Sequence, residues 1–409
     1  MRWLVLVSLG ALGCSAFHSG TGDDDDDADA MPMPDAVPDS PVITISTNPD
    51  WPADSALPAE FDFPPYLNML DASTVVVSWR TVNGSTGTVH FGKTPAYGTD
   101  LTDTTSANLH HVTLASLEPA TAYFYQVAID GTSATRDGVF VTPGATSWRF
   151  MHSGEFHAPS SSTNVAKYAA QIRAFRPHVL LESGDMVDVG SDLTHWRSYM
   201  RTSAPWISNV ILLPAHSNHV NGTGGNALLK DLFVLPNNER WYTTRYSQVE
   251  WVSIDSTYDD NADVATDEVP WIGTRAAAAH DGVDDPTFLI AAWHYPACSS
   301  QYQSRSGERL WVYNNLVKAF TDNGGVDMIL AAHDKYYERS TITGGIVHVI
   351  TNIGNISPAI AGSNNPACTP EKTIRTTRST MFVNVDDKLL SAKMFNETGT
   401  EIDAVSIMK

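Results

Sequence analysis

Near Gly144 the hydrophobic pattern of this chain changes period, and that change limits the folds open to it. Before it, short runs alternate apolar and polar residues between turn residues. Residues 74–80 (T-V-V-V-S-W-R), 87–91, 110–114, 123–129 and 137–142 have the two-residue period of a half-buried strand. Several such strands at short spacing predict an all-β sandwich. After it, runs of strand length (148–153, 179–182, 210–213, 242–257, 287–293 and 326–331) alternate with helical spacing over 165–175 and 193–200. That alternation predicts an α/β domain with sheets buried on both faces. Strand patterns return over 341–408, without internal repeats.

The first sixty residues follow neither pattern. Arg2 opens a short basic region, and residues 3–12 are an apolar run too short to span a bilayer. Residues 1–14 therefore read as a secretory signal peptide. The small residues before Cys14 resemble a bacterial lipoprotein cleavage site, with Ala11 where Leu is more usual. This favours a lipid anchor in the membrane through Cys14 over plain cleavage that removes it, and a secreted or bacterial cell-envelope location. Residues 15–60 are rich in Asp and Pro, with five consecutive aspartates from Asp23 to Asp27, and predict a disordered tether. The formal charge is −21. Without the tether's acids and Arg2, 24 basic residues face 35 acidic ones, about −11, which argues against nucleic acid as a partner. Cys298 and Cys368 would then sit in an oxidising compartment, where the sequence allows a disulfide and two buried thiols equally.

Polar residues interrupt the ends of five apolar runs, where open α/β sheets carry their chemistry. They are 154–157 (G-E-F-H), 184–188 (G-D-M-V-D), 217–220 (S-N-H-V), 293–296 (W-H-Y-P) and 332–335 (A-H-D-K), the last followed by Y-Y-E-R. Singly each is weak. In this order and with these gaps they resemble the motifs of calcineurin-like metallophosphoesterases, most closely the purple acid phosphatases. The phrase at 110–127 (H-H-V-T-L-A-S-L-E-P-A-T-A-Y-F-Y-Q-V) is similar to the fibronectin type III-like N-terminal domain of the same enzymes, with Pro119 and Thr121 at its turn and Tyr123 inward. The resemblance covers about residues 61–409. It implies an all-β fibronectin type III-like sandwich over 61–144 and an α/β, four-layer metallophosphoesterase sandwich over 147–409.

Phosphoester hydrolysis needs a cation to neutralise phosphoryl oxygens and a hydroxide available near neutral pH, which two nearby metals supply. The resemblance implies one complete metal site: Asp185 as bridge, Asn218, His294 and His333. These donors suit Zn²⁺, Mn²⁺ or Fe²⁺. It gives His219 the task of contacting the substrate and protonating the leaving group. The other site departs from the family. Its Asp is Glu155, its Tyr position is Asp188, and its last His is Lys335, whose ammonium cannot ligate a metal. His157 stands where the wider D-x-H motif has a ligand, so Glu155, His157, Asp185 and Asp188 make an incomplete set. Either both ions bind and Lys335 contacts the substrate anion, or Lys335 takes the place of one ion and pairs with Glu155. The second arrangement is preferred, because changes in length and charge then compensate. One ion is expected and two are allowed.

The first expectation is thus a metal-dependent phosphoester hydrolase using a metal-bound water. Its substrate would be a small-molecule phosphoester. The alternative is a metal-assisted lyase on a uronate-containing acidic polysaccharide, with Lys335, His219, His157, His216, Tyr336 or Tyr337 as base. A non-catalytic surface binding module is the third. His152 and His195 are expected to pack in a strand and a helix, Trp293 to wall the pocket or be buried, and Glu338 and Arg339 to form a structural ion pair.

Overall fold

The computed structural model describes residues 48–258, 262–300, 306–357 and 365–409. The signal segment, Cys14 and the aspartate run lie outside the described residues.

Strands β1 (Phe61–Asp71), β2 (Thr74–Gly92), β3 (Thr99–Leu114), β4 (Ala122–Ile129) and β5 (Thr135–Val141) build the N-terminal sandwich. The long β2 serves two sets of partners. Its first half pairs antiparallel with β1, Met69 opposite Val75, and its second half with β4, Val89 opposite Val127. The register of β2 on β3 shifts between Arg80 and Gly87, where the strand passes from one set to the other. Trp79, Val89, Tyr125 and Val127 from the two halves share one buried core. Tyr123 is buried, and its hydroxyl accepts the Glu118 backbone N–H at 3.0 Å.

In the α/β part, β6 (Ser147–Ser153), β7 (Val179–Glu182) and β8 (Ile211–Pro214) are parallel neighbours. Parallel strands need crossovers; here these are α1 (Ser162–Val165), α2 (Ala169–Phe175) and α3 (Leu193–Ser203), with α4 (Gly222–Leu232) after β8. A second sheet holds β9 (Tyr242–Tyr246), β10 (Val249–Ser253), β11 (Phe288–Ala292), β12 (Met328–Ala331), β13 (Tyr337–Ile342), β14 (Ile346–Ile350) and β15 (Cys368–Ile374). Its order is β15-β13-β14-β12-β11-β10-β9. Helices α5 (Val269–Ala278), α6 (Ser306–Val312) and α7 (Lys318–Thr321) belong to this half, which closes with β16 (Thr380–Asp386), β17 (Leu389–Phe395) and β18 (Glu401–Met408). These last three extend the first sheet, ordered β18-β17-β16-β6-β7-β8-β1-β2-β4-β5 with β3 on β2. The sandwich joins this sheet because β1 pairs parallel with β8, Leu67 opposite Ile211.

Strand alternation builds the layers. Met328 and Leu330 face the core between the sheets, with Phe150 and Trp251, whose rings meet edge-on at 5.6 Å. Ile329 and Ala331, on the other face of β12, pack with Ile272 and Phe320 of the helical half. The fold is therefore a β-sandwich followed by a helix–sheet–sheet–helix domain. Among the described residues no helix is long and apolar enough to cross a membrane.

Several expectations are refined. Residues 242–257 contain a hairpin, β9 and β10, rather than one strand. Residues 48–60, read as the end of the tether, are held down. Arg173 donates to the Pro52 carbonyl at 2.7 Å, Arg136 to the Ser55 carbonyl at 2.7 Å, and Trp51 and Leu57 pack on the core. Backbone carbonyls met by distant arginines order a segment that has no periodicity of its own. Cys298 and Cys368 are disulfide-bonded, with Cα atoms 5.8 Å apart. Glu338 and Arg339 do not pair with each other, since strand neighbours point to opposite faces. Arg339 bonds Asp403 at 2.7 Å, and Glu338 accepts from Ser340 and Tyr336, both at 3.1 Å. His152 is buried and bonded to Ser183 at 2.8 Å, and Trp293 is buried beside Phe320. His195 Nδ1, at the start of α3, accepts the Val189 N–H at 3.0 Å.

Candidate metal centre

The motif residues lie just beyond the carboxyl ends of β6, β7, β8, β11 and β12. Four of them adopt left-handed backbone conformations: Glu155 (φ 63°), His157 (φ 48°), Asp185 (φ 54°) and His333 (φ 65°). Each such residue costs about 1–2 kcal/mol, and such strain collects at functional sites. Here it turns the chain sharply off the strand ends, so side chains from separate strands meet. Gly184, at φ 89°, makes room for two of them: a Cβ there would lie 2.5 Å from Ser217 Cβ and 2.9 Å from His294 Nδ1.

Glu155, Asp185, His294 and His333 bring one ligand atom each within 4.8 Å of one another, and His157, Asp185 and His219 form a second such group. Asp185 Oδ2 is the shared atom, 3.3 Å from His294 Nε2, 3.4 Å from His157 Nε2 and 3.6 Å from His219 Nε2. His294 Nε2 lies 3.1 Å from His333 Nδ1. Glu155 spans both groups: Oε2 is 2.9 Å from His157 Nε2 and Oε1 is 3.9 Å from His294 Nε2. Lys335 Nζ lies 3.8 Å from Glu155 Oε2.

The distal ring nitrogens are anchored. His294 Nδ1 donates to the Ser183 carbonyl at 2.8 Å, and His219 Nδ1 to the Asp188 carbonyl at 2.6 Å. Each therefore turns Nε2 into the site. The oxygens that remain are informative. Glu155 Oε1, Asp185 Oδ1 and Asn218 Oδ1 are buried and accept no hydrogen bond from any of the described residues. Buried carboxylate oxygens without donors are costly. Two of these and the Asn218 amide oxygen, beside inward-facing imidazoles, fit a divalent cation, and the mixed O/N donors suit Zn²⁺, Mn²⁺ or Fe²⁺.

The charges interlock. Burial opposes ionisation of Asp185, but His294, His157 and His219 hold its carboxyl well below the usual range. Burial likewise works against a charged His157, yet the Asp185 and Glu155 carboxylates outweigh it and push the imidazole up to about 10. His294 is raised in the same way, against burial, chiefly by Asp185. Just behind, burial drives the Glu182 carboxyl well above the carboxylate range, with the Glu155 charge adding to the effect.

Of the remaining candidates, Asp188 stands at the edge, bonded to His157 Nδ1 at 3.1 Å and to Ser160 Oγ at 2.8 Å. His216 turns away: Nε2 meets Asn226 at 2.7 Å and Nδ1 meets Asp255 at 3.3 Å. Tyr336 is buried, its hydroxyl bonded to Ser299 at 2.8 Å and Glu338 at 3.1 Å, and burial pushes it far above the usual tyrosine value. Tyr337 bonds Asp403 at 2.8 Å. Both tyrosine hydroxyls thus donate to carboxylates outside the Asp185 group. Glu308 of α6 was not singled out from the sequence, yet its Oε2 lies 3.8 Å from His333 Nε2. No motif marks it, because it sits on a helix rather than at a strand end.

Residues 65–142 match the family model described as Purple acid Phosphatase, N-terminal domain. The structure of purple acid phosphatase PPD1 from yellow lupin (Lupinus luteus) seeds aligns with a TM-score of 0.69 at 15% identity, covering 84% of this chain and 74% of that one. The structure of PhoD aligns with a TM-score of 0.63 at 12% identity, covering 87% of this chain and 94% of that one. No curated protein matches the sequence.

Proposed function

We propose that this chain, which has a purple acid phosphatase-like metallophosphoesterase fold, is a metal-dependent phosphoester hydrolase with one well-formed and one altered metal site. The observation that carries this reading is the group Glu155, Asp185, His294 and His333, with buried carboxylate oxygens that no donor among the described residues satisfies. Asp185, Asn218, His294 and His333 would hold a divalent ion, with Glu155 at its edge. When bound, that ion would neutralise phosphoryl oxygens and make a hydroxide available near neutral pH. His219 Nε2 faces the same space, its other nitrogen tied to the Asp188 carbonyl, and is the atom positioned to give a proton to the leaving oxygen. Lys335, one-third exposed, carries positive charge to the open side of Glu155 and would draw a substrate anion there. His157, between Glu155, Asp185 and Asp188, would fix those carboxylates. The apolar leader and Cys14 lead us to place the enzyme in the bacterial envelope or outside the cell.

Release of inorganic phosphate from an aryl phosphate, with Zn²⁺, Mn²⁺ or Fe²⁺ added singly, tests the reaction. Turnover that disappears in Asp185→Asn and falls steeply in His219→Ala is expected. Failure with every ion, together with a rise in ultraviolet absorbance on an acidic polysaccharide, would establish a lyase instead.

A further inference from the structure

Three of the histidines that turn one nitrogen toward Asp185 or toward each other, His219, His294 and His333, are not anchored alike. His294 and His219 use backbone carbonyls, those of Ser183 and Asp188, which follow from where the chain runs. His333 instead has a side-chain carboxylate near it, at ion-pair and not hydrogen-bond separation. Its Nδ1 faces His294 Nε2 at 3.1 Å, and its Nε2, on the far side of the ring, faces Glu308 Oε2 at 3.8 Å. The carboxylate arrives from α6, outside every strand-end loop that supplies the other residues. The Tyr295 ring, 4.5 Å from the His333 ring between centroids, packs beside the imidazole. The backbone at His333, at φ 65°, starts the side chain in this direction.

We propose that Glu308 is a positioning residue that turns the Nδ1 face of His333 toward the metal centre. A carboxylate beside Nε2 favours the tautomer that carries its proton there. The lone pair is then on Nδ1, the nitrogen that faces His294. Glu308 touches neither Asp185 nor the substrate side in this arrangement; it acts through the imidazole. The consequence is specific to this chain: the geometry of one ligand depends on how α6 is seated, so the helix and the metal centre are coupled. The inference rests on the metal-centre reading above.

The test is Co²⁺ binding, followed by chelator competition and by the visible absorption of the loaded protein, in wild type, Glu308→Ala and Glu308→Gln. Glutamine keeps the size of the side chain and removes its charge. Glu308→Ala is expected to weaken Co²⁺ binding about 10–100-fold and to change the visible spectrum, as loss of an outer partner of a ligating histidine does. Glu308→Gln is expected to weaken binding to a similar extent, because it too removes the charge. Thermal unfolding of the metal-free variants should match wild type, so a folding defect is told apart from a lost ligand geometry. Wild type and Glu308→Ala holding Co²⁺ equally well, with the same spectrum, would overturn the role of Glu308 alone. Glu308→Gln that binds Co²⁺ as wild type does, while Glu308→Ala loses it, would overturn positioning by the carboxylate charge. Wild type that holds no Co²⁺ would overturn the metal-centre reading, and this inference with it.

Discussion

Lys335 Nζ lies 3.8 Å from Glu155 Oε2, and the other oxygen of the same carboxylate lies 3.9 Å from His294 Nε2. The extra methylene of Glu155 lets one side chain reach both. A cation on one oxygen and a metal-ligand imidazole near the other is the arrangement expected if lysine charge offsets a carboxylate that would otherwise serve a second ion.

Metal content follows from this pair. Wild type should hold one tightly bound ion per chain by elemental analysis, and Glu155→Asp/Lys335→His should hold two. Two tight ions in wild type would exclude lysine in place of metal. Lys335→Ala should lower phosphate release about 100–1,000-fold, in the range for removing one preorganised donor from such a site.

Gly184 is where backbone and ligand geometry meet. Gly184→Ala forces a Cβ into left-handed backbone, 2.9 Å from His294 Nδ1. It should destabilise the protein by roughly 1–3 kcal/mol and should weaken metal binding as well, because His294 must shift. Urea unfolding and metal titration read the two effects separately.

The metal-free protein should lose stability in alkali. His157 is raised from its ordinary range to about 10, through Asp185 and Glu155 acting against burial. A group raised in the folded state stabilises fully below its unfolded value, near 6.5, and that contribution is lost as pH rises through about 10. The loss should amount to up to about 4 kcal/mol. Unfolding measured from pH 6 to 10.5 after chelation checks this, and His157→Gln should flatten the curve.

Asp62 ties β1 to α3. It is buried and receives Arg80, Arg197 and Arg201. Burial opposes its charge, but the Arg197 and Arg80 guanidiniums lower its pKa. The sign is opposite to that of His157: the stabilisation is present above about pH 4 and is lost as pH falls through the lowered value. Asp62→Asn should cost about 2 kcal/mol at pH 7, less than a fully buried pair because the arginines are partly exposed. Denaturation at pH 7 and pH 3 should show the cost shrinking in acid.

The Cys298–Cys368 disulfide spans 70 residues and closes four positions after His294. Replacing both cysteines by serine should lower stability by about 2–4 kcal/mol. Metal affinity should fall too, since the loop after His294 loses its tie to β15. Differential scanning calorimetry and metal titration separate the two.

Short-range information made most of the fold legible. The change of period near Gly144 marks where strand pairing gives way to parallel strands with crossovers. The five motifs could be read because each packs its chemistry into a few residues after an apolar run. Proximity in sequence misled at Tyr336 and His216. Both neighbour site residues, but the turns carry their side chains to Glu338 and Ser299, and to Asn226 and Asp255. Side-chain direction beyond a strand end depends on φ and ψ of one or two residues, which composition does not reveal.

The sequence by itself determined many of the strands, the helical spacing over 165–175 and 193–200, the polar residues at the strand ends and the presence of a lysine at 335. Periodicity and motif are written in contiguous residues. Only the tertiary structure decided that β1 joins β8, that Cys298 meets Cys368, that Glu155 spans two groups of ligands, and that Glu308 stands behind His333. Those are contacts between distant segments, set by the packing of one sheet on another and by the seating of a helix, and no local pattern encodes them.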